Sequence, residues 1–325
     1  MGDSKRRPVA GRRSVLLGMA GLASAALAAC SSVERPKNAA APSVSPLVAP
    51  SVAPLVAPPT GPATPPPSIA ARSSEQAAAA LAPAAKATAT VLPDKQQIMA
   101  EFAGRRPKEW GLQVTGVVND SASKHVALTF DACGGPGGTG CDHALLKTLR
   151  RLHVPATLFI NSRWLQANPS LAAELAAEPL FELANHGTLH QPLSVTGRAA
   201  YGIAGTDNTA AAYDELMGNQ ALMQELIGTP PGFFRPGTAF YDDVAVEMTR
   251  RLGLLPVNFT INGDGGATYP ASTVAGEVGR ARAGDIVISH FNRPAAGTAE
   301  GYGRALPGML DRGVTFARLG DVLTL

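Results

Sequence analysis

Cysteine and histidine are scarce in this chain. Its 325 residues hold three cysteines and six histidines, and no two cysteines form the C-x-x-C spacing of common structural zinc sites. No basic stripe, and no basic run interleaved with aromatics, stands beyond the first thirty residues, so nucleic-acid binding has no support. The net charge of +3 misleads on this point. The first thirty residues carry five basic side chains (Lys5, Arg6, Arg7, Arg12, Arg13) and one acid (Asp3), so the remainder is about −1. The apolar run from Val15 to Ala29 is too short and too rich in Ala and Gly to span a bilayer comfortably.

What is present at the start reads as an address. Arg12-Arg13-Ser-Val-Leu-Leu17 follows the pattern of a twin-arginine export signal, with Val15 where Phe is usual. Leu27-Ala-Ala-Cys30 resembles a lipobox, in which Cys30 becomes the lipidated first residue. Residues 1–30 are therefore expected to be a lipoprotein signal peptide. Residues 31–92 are expected to be a disordered Pro/Ala-rich linker. There Pro42-Ser-Val-Ser-Pro-Leu-Val-Ala49 nearly repeats as Pro50-Ser-Val-Ala-Pro-Leu-Val-Ala57, and such composition cannot bury enough apolar surface to offset chain entropy. The predicted location is exported and lipid-anchored at the cell envelope, with the membrane contacted through Cys30. An oxidising compartment permits disulfides, so Cys133 and Cys141, flanking a Gly-rich loop, are expected to pair; the rival reading makes their thiolates metal ligands, against which stands the lack of C-x-x-C spacing.

From residue 93 to 325 the composition suits one sizeable core. Predicted strands at Val126–Phe130, Ala156–Ile160, Phe181–Ala184, Gly232–Phe234, Leu255–Ile261, Asp285–Ser289 and Thr315–Ala317 alternate with helices. Those helices are Asp142–Leu152, a stretch ending at Glu178, Ala210–Ile227 closed by Gly228, Asp242–Leu252, Ala271–Ala281 and Tyr302–Leu310. Such alternation implies parallel pairing in an α/β fold, and about seven units suggest a closed barrel. Active groups are then expected at the C-terminal ends of the strands. Asp131, His186, Arg235, Asp264 and His290 each stand at or just after an apolar strand. His186 and His190, four positions apart, can converge on one metal ion if the backbone between them is helical or a tight turn.

This ordered set resembles the polysaccharide deacetylase family, also called the NodB-homology or carbohydrate esterase 4 family, over roughly residues 120–325. Thr129-Phe-Asp-Ala-Cys-Gly134 is similar to the family's first motif, Thr-Phe-Asp-Asp-Gly. His186-Gly-Thr-Leu-His190, preceded by Glu182 and Asn185, is similar to the second. Phe234-Arg-Pro-Gly237 matches the third loosely, Asp264 stands for the fourth without its Trp, and Ile286-Val-Ile-Ser-His290 matches the fifth. The resemblance implies a distorted (β/α)7 barrel and a metal-dependent hydrolase that removes acetyl groups from an N-acetylated sugar polymer. His186 and His190 would hold the metal, zinc first and cobalt or nickel as alternatives, lowering the pKa of a bound water to about 7. Asp131 would serve as general base, oriented by Arg235. His290 would be the acid, steered by Asp264, and a backbone N–H near Thr238 to Tyr241 would meet the oxyanion.

One position departs from the pattern. The family's second Asp ligates the metal, and here Ala132 stands in its place. Three outcomes are open: Asp131 is the third ligand, or Asp142, otherwise a helix N-cap, takes that place, or the site is metal-poor and catalytically weak. His125, His143 and His153 read as structural or solvated, and Trp110 and Trp164 as packing residues. The Gly-rich segment Ser194–Thr209 is long for a connection and is a candidate wall of the groove. Two functions follow, an envelope deacetylase or a non-catalytic glycan-binding lipoprotein, in either case expected to be monomeric. Peptidoglycan, chitin-like oligomers, an exopolysaccharide and acetylated xylan all remain as polymers.

Overall fold

The computed structural model describes residues 92–325. The expected signal peptide, Cys30 and nearly all of the linker lie outside them. The elements begin with α1 (Lys95–Glu101), β1 (Trp110–Gly111), β2 (Val126–Ala132), α2 (His143–Leu152), β3 (Ala156–Ile160), α3 (Ser162–Ala167), α4 (Pro169–Ala177) and β4 (Phe181–Asn185). There follow α5 (Thr209–Ile227), β5 (Phe233–Phe234), β6 (Tyr241–Asp242), α6 (Asp243–Arg251), β7 (Leu255–Pro256) and β8 (Ile261–Asn262). The chain ends with α7 (Ala271–Gly279), β9 (Ile286–His290), α8 (Thr298–Asp311), β10 (Phe316–Ala317) and α9 (Leu319–Val322).

The main sheet runs β7-β5-β4-β3-β2-β9-β8, with β10 also paired to β2. Every pairing in it is parallel. The expected α/β class and distorted (β/α)7 barrel are what the structure shows. β7 and β8 lie at opposite edges of this path, yet only residues 257–260 separate them in the chain. A chain advances at most about 3.6 Å per residue, so the sheet must curl until its edges nearly meet. The expected strand Leu255–Ile261 is thus two short strands with a crossing between them. Asn258 fills that crossing, donating through Nδ2 to the carbonyls of Leu112 (2.6 Å) and Ala239 (2.9 Å).

β2 shows how the sequence decides which side chains enter the barrel. All seven of its residues are buried, as a parallel strand covered on both faces requires. Side chains alternate between faces along a strand. Val126, Leu128, Phe130 and Ala132 pack outward with Leu145, Leu146 and Leu149 of α2. Ala127 packs inward with Phe159 and Ala184, which puts Thr129 and Asp131 on the inner face as well. α2 begins where Asp142 Oδ1 accepts from the Leu145 N–H at 3.0 Å. Pro169 opens α4 and divides the helical stretch ending at Glu178 into two helices. Gly228 closes α5 at φ 77°, a left-handed cap that glycine adopts without steric cost.

Candidate active site

The polar residues foreseen at the strand ends meet at one rim. Asp131 lies one residue from the end of β2, His186 follows β4, Arg235 follows β5, and His290 ends β9. Asp264 lies two residues beyond β8. Neither Arg235 nor Asp264 is a surface residue; both have no solvent exposure.

Arg235 lies against the Phe159 ring, its guanidinium carbon 4.2 Å from the centroid. It donates to the carbonyls of Val257 (3.2 Å) and Asn258 (3.0 Å), to Thr129 Oγ1 (2.9 Å) and to Asp131 Oδ1 (2.8 Å). This holds one carboxylate oxygen and leaves the other, Oδ2, 3.6 Å from His186 Nε2. Burial alone raises a carboxyl pKa. Here Arg235, with His186 and His290, outweighs it and holds Asp131 below the ordinary carboxylate range. Asp131 therefore stays ionised and able to accept a proton.

Asp264 anchors His290 twice, through the backbone N–H (2.7 Å to Oδ2) and the ring Nδ1 (2.9 Å to Oδ1). Thr298 Oγ1 donates to the same carboxylate at 3.0 Å. Burial disfavours charge on His290, but Asp264 overcomes this and raises its pKa well above the usual value.

The two histidines of the second motif converge through a turn, not a helix. Gly187 (φ 77°) and His190 (φ 62°) both take left-handed backbone, and the imidazole centroids are 4.9 Å apart. The turn is clasped from α5. Glu215 accepts the N–H groups of Leu189 (2.8 Å) and Gln191 (3.1 Å). Asn219 donates to Asn185 Oδ1 (2.8 Å), which also accepts the Gly187 N–H (2.8 Å). Any Cβ on Gly187 would meet Glu215 Oε1 and sit on left-handed backbone, so another residue here would strain the turn and displace its clasp. His186 Nδ1 donates to the Arg235 carbonyl at 2.8 Å. That bond fixes the tautomer and turns the Nε2 lone pair into the site.

Cys133 and Cys141 are both free thiols, which corrects the expected disulfide. Cys133 Sγ instead lies 3.8 Å from His186 Nε2. The donor atoms of Cys133, His186 and His190 all fall within 4.8 Å of one another, a spacing that one divalent ion can bridge. Asp142 is no part of this cluster, because its carboxylate caps α2. Asp131 also stands outside it, tied to Arg235. His125, His143 and His153 take no part. Trp164 is fully buried and donates Nε1–H to the Gly140 carbonyl at 2.8 Å.

The cluster opens into a cleft of about 780 Å³ lined by Asp131, Cys133, His190, Thr238, Ala239 and His290 among others. Thr238 and Ala239, from the segment expected to meet an oxyanion, stand in successive left-handed conformations. The Ser194–Thr209 segment forms part of the wall through Tyr201 and Ile203. Tyr201 is 75% exposed, with its ring edge-on to Phe240 at 5.3 Å. Three residues were missed by sequence reasoning. Cys133 was favoured as a disulfide partner over the rival reading as a metal ligand, although strand alternation puts it on the face of Asp131. Glu215 and Tyr201 carried no motif.

Residues 119–257 match the family described as polysaccharide deacetylase. Over those residues the chain is similar to that family. Solved structures with the same fold include a CE4 family pseudoenzyme from Bacillus anthracis, 18% identical over 66% of this chain and 70% of that one, with a TM-score of 0.54. A mutant of that pseudoenzyme with restored enzymatic activity is 19% identical over 66% and 72%, also at 0.54. The Bc1960 peptidoglycan N-acetylglucosamine deacetylase is 18% identical over 64% and 92%, at 0.54. No curated protein sequence matches the chain significantly.

Proposed function

We propose that the protein is a polysaccharide deacetylase that hydrolyses acetyl groups from an N-acetylhexosamine polymer of the cell envelope, with a divalent metal at the cluster containing His186 and His190. The observation that carries the reading is the pairing of opposite proton-transfer groups across one cleft. Asp131 is held ionised by Arg235, and His290 is held protonatable by Asp264. Such a pair is what amide hydrolysis requires, because water must lose a proton and the leaving amine must gain one.

His186 and His190 would hold a divalent ion, which when bound would supply Lewis acidity for the acetyl carbonyl and for the attacking water. Asp131 Oδ2 takes the water's proton, while Arg235 fixes the carboxylate through Oδ1. His290 then donates its proton to the departing nitrogen, and Asp264 stabilises the imidazolium that must be present beforehand. Tyr201 offers an exposed ring at the cleft wall on which a pyranose face can stack. Peptidoglycan is the polymer that best fits the expected export and lipidation at Cys30. The neighbouring peptidoglycan N-acetylglucosamine deacetylase supports that choice.

A second reading has its own observation. Ala132 stands at the family's metal-ligating position, and a pseudoenzyme is among the structures sharing this fold. That reading makes the protein a glycan-binding module without turnover. Acetate release from N-acetylglucosamine oligomers and peptidoglycan, measured with zinc or cobalt and with a chelator, separates the two. Metal-dependent acetate is expected. Glycan affinity without acetate under any metal would establish the binding module instead.

A further inference from the structure

We propose that the Cys133 thiolate is the third protein ligand, making a Cys-His-His metal centre that selects zinc-class ions over hard cations. The inference rests on the metal-dependent reading above but concerns the chain's own ligand set. It starts from the alternation along β2. Position 132 faces outward, where Ala132 packs against the helix layer with no solvent exposure. Its methyl group offers no donor atom. The inward row runs through Thr129 and Asp131, and Cys133 continues it into the cleft.

The thiol is held in place. Arg163 Nη2 donates to the Cys133 carbonyl at 2.9 Å. Directly after it, Gly134 takes φ 64° and packs so closely on α3 that a Cβ would stand 2.6 Å from the Trp164 nitrogen. The backbone that carries Sγ is thereby pinned. A tetrahedral zinc with bonds of about 2.3 Å to sulfur and 2.0–2.1 Å to nitrogen separates those donors by about 3.5 Å. The observed Sγ–Nε2 distance is 3.8 Å.

Charge supports the same assignment. Two neutral imidazoles leave a divalent ion uncompensated. Asp142 is committed to its helix cap, and Asp131, bound to Arg235 through Oδ1, keeps Oδ2 for the water's proton. The thiolate is the anionic member of the three-donor cluster. Because it is soft, it favours zinc and cobalt over magnesium, calcium or manganese. The departure at position 132 then exchanges one anionic ligand for another displaced by a single residue.

The test uses the full chain loaded with Co²⁺. A sulfur-to-cobalt charge-transfer band in the near ultraviolet is expected, and it should vanish in Cys133→Ser and Cys133→Asp. Zinc affinity should fall more than about 100-fold in Cys133→Ser, since losing even a bond behind a ligand costs about 10–100-fold. Cys133→Asp should keep bound Co²⁺, showing that loss of the band is not loss of the fold. In the wild type, zinc should protect Cys133 from iodoacetamide as read by peptide mapping. The proposal is overturned by a cobalt protein lacking the band, or by Cys133→Ser with unchanged zinc affinity. Equal alkylation with and without zinc would also overturn it, and would point to a free nucleophile. The two readings fail separately. A band without acetate release removes the deacetylase and leaves the ligand, whereas zinc-dependent acetate without a band does the reverse.

Discussion

Asp131 lies near the C-terminal end of β2 and Glu182 near the N-terminal start of β4, each beside a cleft of about 780 or 800 Å³ respectively. Glu182 accepts from Thr157 Oγ1 (2.8 Å) and the Gly320 N–H (3.1 Å), and burial pushes its pKa up. The nearby Arg318 is engaged with Asp321 at 2.9 Å. Asp131 meets burial too, but Arg235 reverses the shift. Among the described residues no histidine lines the Glu182 cleft, whereas His190 and His290 line the other. Cavity size therefore does not distinguish the two ends. The arrangement of charge partners and ligand atoms does.

The largest effects should come from removing groups at the Asp131 end. His186→Ala should lose retained metal and acetate release together. His290→Ala should keep its metal and lose turnover by about 10²–10⁴-fold. Metal analysis beside acetate assay checks both, and unchanged metal in His186→Ala would remove it from the ligand set.

A smaller change is expected when Asp264 is neutralised. Its carboxylate raises the His290 pKa, so the protonated acid persists to higher pH in the wild type. Asp264→Asn should lower that pKa and move the alkaline limb of the pH–rate profile to lower pH. A limb that stays in place would mean another group is the acid.

Glu215 tests the scaffold beneath the histidines. Glu215→Ala leaves the N–H groups of Leu189 and Gln191 without their acceptor, at a cost of about 1–3 kcal/mol. Denaturant unfolding and zinc titration should both register it, with weaker zinc retention than the wild type.

Glu182→Gln should have the smallest effect on function, leaving acetate release unchanged. Its signature lies in stability. A carboxyl whose folded pKa is raised binds more protons folded than unfolded, so its contribution is largest at low pH. It is lost as pH rises from the unfolded value, about 4.3, through the raised folded value. Unfolding curves across that window should show a shallower decline for Glu182→Gln. A loss of acetate release would break the contrast between the two ends.

Much of the rim was legible because strand ends are marked by apolar runs stopping at polar residues, as at Asp131, His186 and His290. β3, Ala156–Ile160, emerges with the bounds expected of it, since its apolar run is flanked by clear breaks. The crossing between β7 and β8 was not legible. A continuous apolar pattern does not reveal that a sheet closes through it, and Asn258 finds its partners only in the folded chain. α1 is short and rests on a capping box between Asp94 and Gln97, too little periodicity to announce itself. Cys133 was hidden differently. Comparison by motif directs attention to Ala132, whereas alternation along β2 places the useful side chain one residue later. The clasp by Glu215 and Asn219 depends on tertiary contact between α5 and the histidine turn, which no local pattern encodes.

The most direct test is to strip the protein with a chelator, return zinc in measured increments, and record acetate release against metal bound. The account predicts activity rising in proportion to bound zinc and saturating at one equivalent per chain. Acetate release from the stripped protein that zinc leaves unchanged would contradict it.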